Sequence, residues 1–425
     1  MDIKSDKSFN GLSGIIEIPS DKSISHRSVM FSALAKGESV ISNFSKGADC
    51  HSTLKIMQSL GAEVDFINEK TVKIKSSGIL KCPNKHLDCG NSGTTMRLIS
   101  GVLAGQNFDS ILVGDESLQK RPMKRIITPL ELMGAKIEHS NFKAPLKISG
   151  TNLQAINYES VLSSAQVKSC VLLAGLNAQG TTTFSEPFKS RNHTELLLKY
   201  LGADIDVVGN SVSVKKSQLI AKDINVAGDI SSAAFFMVAA AIVPNSEVII
   251  KNVGLNQTRT GILDIMIKMG ANIEILDKQN ICGEDVGDIK VSYSELKGVE
   301  ISGDIIPRLI DELPVIAVLA TQAKGITIVK DAQDLRNKES DRISCLVTEL
   351  RKIGVVITET EDGFVIEGRQ RIKGGALTEC YHDHRLAMSL YVAGLVADEA
   401  IIVKEFQWVD ISFPEFLGLM ENIKN

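Results

Sequence analysis

Met133-Gly134-Ala135-Lys136-Ile137 closes a helix-period apolar stretch with an apolar residue and a glycine, then turns at once into a strand-like segment. The same joint recurs at Leu60-Gly61-Ala62-Glu63-Val64, Leu201-Gly202-Ala203-Asp204-Ile205, Met269-Gly270-Ala271-Asn272-Ile273 and Ile353-Gly354-Val355-Val356-Ile357. Glycine just past a helix end takes the left-handed cap conformation without a Cβ clash, so each joint reads as helix stop and strand start. The joints are roughly 70 to 85 residues apart, too far for a solenoid repeat but suited to a βαβαββ-sized module. A further helix is expected near Phe413 to Ile423. Six modules in two groups of three is the simplest division, and it predicts an α/β fold of two similar domains. One such joint is common in any α/β protein; the weight rests on the recurrence.

A length of 425 residues also favours two cores over one. Two stretches read as crossovers: Ile18 to Asp21, where Pro19 breaks a short strand, and Asn225 to Ser232, where Asp229 or Ser231 can cap the small-residue helix that follows. With hinges there, residues 1–18 and 228–425 form one discontinuous domain and 19–227 the other. The cleft between them is the expected ligand site, and two linkers permit closure.

Composition narrows the function. A net charge of −4 with sparse aromatics argues against nucleic-acid and membrane-surface binding. The seven cysteines form no C-x-x-C pair and read as thiols in a reducing compartment. Met1 to Gly11 is polar and charged, and the longest apolar run, Ala233 to Val243, is too short to span a bilayer. A cytoplasmic location is expected.

Against this acidic balance, cations and hydroxyls gather at expected helix starts, where free N–H groups and the dipole favour anions. Pro19-Ser20-Asp21-Lys22-Ser23-Ile24-Ser25-His26-Arg27 precedes a helix expected over Ser28 to Lys36, with Ser20 or Asp21 as cap. Cys89 to Arg97 is a Gly/Ser/Thr turn before another helix; it lacks both the G-K-[ST] of a P-loop and the G-x-G-x-x-G of a dinucleotide fold. Arg121 precedes Pro122 and is pushed into an extended conformation. Ser163 to Lys168 and Ser190 to Glu195 repeat the theme. In Asp334 to Arg342, Lys338 and Arg342 are expected to share a helix face four residues apart, an arrangement that costs roughly 0.2 to 0.5 kcal/mol unless an anion sits there. Asp311-Glu312-Leu313-Pro314 opens an apolar helix; its acid is either a cap or, if directed at cations, a carboxylate able to accept a hydroxyl proton. His382-Asp383-His384-Arg385 has no evident third metal ligand, and Arg385 reads as one more anion ligand. Each motif taken alone is also explained as a capped, solvated helix end.

Together these motifs resemble the 5-enolpyruvylshikimate-3-phosphate (EPSP) synthase family along nearly the whole chain. The match is carried by S-D-K-S-I-S-H-R (Ser20 to Arg27), G-N-S-G-T-T-M-R (Gly90 to Arg97), R-P-M (Arg121 to Met123), S-A-Q-V-K (Ser164 to Lys168), D-E-L-P (Asp311 to Pro314), R-N-K-E-S-D-R (Arg336 to Arg342), D-H-R-L-A-M (Asp383 to Met388) and S-F-P (Ser412 to Pro414). S-A-Q-V-K, R-N-H-T-E (Arg191 to Glu195) and N-Q-T-R (Asn256 to Arg259) look like the second class, which is associated with glyphosate tolerance. The resemblance implies two domains of three βαβαββ units each, of the inside-out α/β barrel type, with the active site in the interdomain cleft. It implies transfer of the enolpyruvyl group of phosphoenolpyruvate to the 5-hydroxyl of shikimate 3-phosphate by a monomer, without metal or organic cofactor.

Carried over by motif, Lys22, Ser23, Arg27, Ser164, Ala165, Gln166, Arg191, Asp311 and Lys338 would hold shikimate 3-phosphate. Lys22, Gly93, Arg121, Gln166, Arg342 and Arg385 would hold phosphoenolpyruvate. Asp311 would be the base on the hydroxyl, Glu339, with Lys338 close by, would move the proton at the methylene carbon, and Lys22 would be catalytic as well as a ligand. Three positions depart or qualify: Ile411 stands where some members place a Lys, Leu98 where first-class members have Pro, and Gly93 is the residue of the glyphosate-susceptible type. The sibling transferase acting on UDP-N-acetylglucosamine usually has a Cys shortly before its Arg-Pro, and Gly114 to Arg121 has none. A non-catalytic anion binder is the alternative of another class.

Overall fold

The computed structural model describes residues 1–8 and 10–425. The chain forms two compact units: Met1–Pro19 with Gly228–Gln279 and Asp285–Asn425, and Ser20–Ala227 with Asn280–Glu284. The boundaries drawn from sequence leave Asn280–Glu284 with the first unit; in the structure this turn, between the strands Asn272–Ile281 and Glu284–Ser292, groups with the second.

All five joint glycines are left-handed, with φ of 101° at Gly61, 94° at Gly134, 90° at Gly202, 94° at Gly270 and 89° at Gly354. The residue after each returns its N–H to a carbonyl five positions back, as in Ala135 to Leu130 at 2.9 Å and Ala271 to Met266 at 2.8 Å. This closes the helix and releases the chain into a strand.

The described residues form six sheets, three in each unit. Three of them share one plan: a short strand pairs in parallel with a second, which pairs antiparallel with a fourth, which pairs antiparallel with the third. Leu87–Asp88, Ser110–Val113, Lys136–Ser140 and Lys143–Ser149 show it, as do Asn157–Glu159 to Lys215 and Glu300–Ile301 to Glu367. N-terminal strands complete two sheets of the first unit. Ile3–Ser5 pairs antiparallel with Ile401–Val403, and Ser13–Glu17 pairs in parallel with Glu247–Gly254.

Within each unit three helices are buried nearly all round: apolar and small residues dominate them, and their charged residues lie in the first two turns. These are Lys22–Leu34, Gly93–Ala104 and Ala165–Gly175 in one unit, and Ile230–Ile242, Leu313–Gln322 and His384–Gly394 in the other. The sheets cover them, one face in and one out; Lys143–Ser149, for example, alternates buried and accessible positions. Gly101 shows how close the inner helices come, since a Cβ there would lie 2.1 Å from the Cys170 carbonyl oxygen. Among the described residues no helix is long and apolar enough to cross a membrane.

Candidate active site

The cations of the unit built on Ser20–Ala227 gather at the starts of its inner helices. The helix carrying the first motif begins at Lys22, six residues before the expected start, because Asp21 caps it by accepting the Ile24 N–H at 2.8 Å. Lys22 Nζ lies 2.5 Å from Asp49. Burial opposes ionisation of Asp49, but Lys22 outweighs it and holds the carboxyl below its usual range. Arg27 is buried and fully directed: Nε donates to Thr194 Oγ1 at 2.7 Å, Nη1 to the Ser23 carbonyl at 2.9 Å and Nη2 to Ser169 Oγ at 2.8 Å. Burial, with nearby Arg191 adding to it and Glu195 opposing, lowers its pKa to about 10, so it remains a cation at neutral pH.

The second helix start carries Gly93. A Cβ there would meet Arg97 Nη1 at 2.9 Å and Arg121 Nη1 at 3.5 Å, so the missing side chain leaves room between two guanidinium groups. Arg121 donates to Asn91 Oδ1 at 2.8 Å, and Asn91 to Asp115 at 2.7 Å. Arg97 donates to Gln166 Oε1 at 2.6 Å, and Gln166 Nε2 to Thr94 Oγ1 at 3.0 Å. Gln166 is thereby fixed to the Gly93 turn, and Ser164 caps the helix that Ala165 and Gln166 begin. Behind them Lys168, 1% exposed, is paired with Glu186 and Glu195 at 2.8 Å each.

His26 lies at 0% exposure with Nδ1 2.7 Å from Thr53 Oγ1. Burial, reinforced by Lys22, pulls its pKa to about 3, so it is neutral in the folded state. Because the unfolded chain binds this proton at about 6.5 and the fold does so only near 3, stability is full above the higher value and falls as pH drops towards the lower one. Between pH 6.5 and 4.5 the loss from this group is expected to be about 2 kcal/mol. Urea midpoints should fall across that window, and less so in His26→Gln; equal falls would contradict the assignment.

In the other unit the site residues converge on one guanidinium. Arg342, at 1% side-chain exposure, donates Nε to Asp383 at 2.7 Å, Nη2 to Glu339 at 2.5 Å and Nη1 to Asp311 at 3.2 Å. Burial opposes its charge, and Asp383, ahead of Glu339 and Asp311, more than restores it, raising the pKa further. Lys338 Nζ lies 3.7 Å from the same Asp311 oxygen, and Arg385 Nη1 donates to the Asp311 carbonyl at 3.2 Å. Asp311 therefore faces both Lys338 and Arg342.

The expected face shared by Lys338 and Arg342 on one helix is not what forms. A 3-10 turn ends at Asn337, Lys338 is extended, and Asp341 caps a new helix beginning at Arg342. The pair meets through Asp311 instead. Glu339 is held as a carboxylate. Desolvation would raise its pKa, but Arg342 outweighs that and holds it well below the ordinary range. Solvent reaches 38% of its side chain, which softens the pull but leaves its direction. In this arrangement Glu339 can accept a proton rather than supply one. His382 and His384 serve separate environments: His382 packs against Trp408, while His384 has its pKa lowered to about 4 chiefly by desolvation, with Arg385 adding to it.

Asp49, Arg97, Asp383 and His384 also belong to these groups, beyond the site residues expected from sequence. Arg97 had a signal, lying one helical turn after Gly93. Asp49 had none, because its pairing with Lys22 is made only by the fold. At Ile411 the side chain is 40% exposed at the end of a 3-10 turn, and no cation stands at that position.

A sequence model of EPSP synthase (3-phosphoshikimate 1-carboxyvinyltransferase) matches residues 7–420. The chain belongs to the EPSP synthase family. It is 51% identical to the 3-phosphoshikimate 1-carboxyvinyltransferase of Bacillus pumilus over 96% of this chain and 97% of that one. The protein of the same name from Thermodesulfovibrio yellowstonii is 50% identical, covering 98% and 99%. Among solved structures, EPSP synthase from Acinetobacter baumannii superposes with a TM-score of 0.92 at 40% identity, covering 100% of this chain and 98% of that one. The enolpyruvyl transferase NikO from Streptomyces tendae shares the fold, with a TM-score of 0.81 at 16% identity over 99% and 97%. The three-sheet, three-helix plan of each unit is thus the plan of an EPSP synthase family member.

Proposed function

We infer that this EPSP synthase family member transfers the enolpyruvyl group of phosphoenolpyruvate to the 5-hydroxyl of shikimate 3-phosphate and releases phosphate. The full-length similarity to proteins named for that reaction supports the activity. The observation that carries the residue assignment is Asp311, a carboxylate at a helix start facing Lys338 and Arg342.

In this reading Arg27, Arg191, Lys22, Ser23, Ser164, Ala165, Gln166, Asp311 and Lys338 bind shikimate 3-phosphate. Lys22, Gly93, Arg121, Gln166, Arg342 and Arg385 bind the phosphate and carboxylate of phosphoenolpyruvate, anions that guanidinium forks recognise bidentately. Asp311 takes the proton of the 5-hydroxyl as its oxygen attacks C2, while the Lys338 ammonium gives a proton to the methylene carbon. The resulting tetrahedral ketal collapses when the bond to the phosphate oxygen breaks. The methyl group then loses a proton and the double bond re-forms. Glu339, ionised beside Arg342, is placed to accept that last proton and return it to Lys338, and Lys22 is assigned a catalytic role by its motif. Holding both substrates in register supplies much of the rate, since oriented reactants avoid the entropy of encounter.

Seven free cysteines fit a reducing, cytoplasmic location, and the reading takes the enzyme as a monomer. Phosphate release measured with shikimate 3-phosphate alone, phosphoenolpyruvate alone, and both together is expected only in the third case. Release with phosphoenolpyruvate and UDP-N-acetylglucosamine instead would overturn the substrate assignment.

A further inference from the structure

The turn that leads into Arg385 is held in an unfavourable backbone conformation. Tyr381 and His382 are consecutive non-glycine residues with φ of +54° and +59°. Side-chain-bearing residues avoid that region unless surrounding contacts impose it. Here a buried carboxylate holds its first half. Glu349, with its side chain at 0% exposure, accepts the Tyr381 hydroxyl at 2.6 Å on Oε1 and the Glu379 N–H at 3.0 Å on Oε2. Lys352 Nζ, 2.8 Å away, balances its charge.

Glu349 lies seven residues after Arg342 on the helix Arg342–Lys352, so the two share a face two turns apart. Both reach the same turn: Arg342 grips Asp383 and Glu349 grips Glu379 and Tyr381. Asp383 in turn caps the next helix by accepting the Arg385 N–H at 2.9 Å. A single helix therefore holds the turn at both ends, and the direction in which Arg385 leaves depends on both grips.

We propose that Glu349 and Tyr381 are positioning residues for phosphoenolpyruvate, holding the left-handed turn that aims Asp383 at Arg342 and starts the helix at Arg385. The proposal rests on the reading of Arg342 and Arg385 as phosphoenolpyruvate ligands. Neither residue touches the anion; each acts through the turn.

The test uses Tyr381→Phe in the full chain, which removes one hydroxyl and keeps the ring, with Glu349→Ala as the more severe variant. Tyr381→Phe is expected to raise KM for phosphoenolpyruvate about five- to tenfold, the scale of a hydrogen bond to a charged group only partly transmitted to the site. KM for shikimate 3-phosphate should stay within about twofold. Trp408, the single tryptophan of the chain, packs against His382 with ring centroids 4.5 Å apart, so its emission reports the turn and should change in Tyr381→Phe without substrate. Tyr293→Phe, which removes an exposed hydroxyl elsewhere, should change neither quantity. An unchanged KM for phosphoenolpyruvate, an equal rise for both substrates, or an unchanged Trp408 emission overturns the proposal, and these readings stand even if Glu349→Ala does not fold. Arg385→Ala is the separate control on the underlying reading: if it leaves phosphoenolpyruvate binding intact, the ligand assignment falls and not merely the clamp.

Discussion

Asp311→Ala is expected to lower kcat about a thousandfold, within the usual span for loss of a general base, while shikimate 3-phosphate still binds. Two features make the effects separable. The carboxylate is the group that would take the hydroxyl proton, and nothing in alanine replaces it. The backbone carbonyl that receives Arg385 survives the change, and Arg342 keeps Asp383 and Glu339. Lys338 and Arg342, relieved of one anion, leave that side of the site more positive, which does not weaken a phosphorylated ligand. Calorimetry of shikimate 3-phosphate binding beside a phosphate-release assay decides it. Lost binding with surviving turnover would reverse the assigned role.

Arg342→Met should act on the fold as well as on catalysis. Methionine fills much of the volume but leaves Asp383, at 0% side-chain exposure, facing Glu339 and Asp311 without the cation between them. Breaking a buried pair from one side typically costs about 3–5 kcal/mol, which for a unit of this size lowers the midpoint by about 10 °C. Calorimetry should show that fall together with loss of turnover. Adding Asp383→Asn, which removes the stranded buried charge, should return part of the stability but not the activity. A melting point unchanged by Arg342→Met would mean that the acids are solvated and that the convergence on Arg342 is not what holds them.

Much of the plan could be read locally. The helix–glycine–strand joints depend only on a helix end, a residue without Cβ and the chain leaving it. All five glycines are left-handed as that requires. The capping residues were also readable, because caps act over three residues, although the first helix begins six residues earlier than expected. Asp21 and Asp341 accept from Ile24 and Ser344 as N-caps do. Helix spacing does not relate Lys338 to Arg342 because a cap lies between them: Asp341 starts the new helix, and Arg336, bonded to Asp341 and Glu359, fixes the 3-10 turn before it.

The site itself was legible as positions and not as partners. Arg27 finds Ser169 and Thr194 at separations of 142 and 167 residues, and Arg342 finds Asp383 across 41. No local pattern encodes such pairs. The neutrality of His26 and the ionised state of Glu339 depend on how many neighbours exclude water and which charges remain.

By itself the amino-acid sequence determined the α/β modules, their joints and the placing of cations at helix starts, because capping and periodicity are short-range properties of the chain. Only the tertiary structure decided which helices lie inside each unit, that Asp311 faces Lys338 and Arg342, and that Glu349 holds the turn before Arg385. Those outcomes depend on burial and on charges brought together from distant segments, and both exist only once the chain has packed.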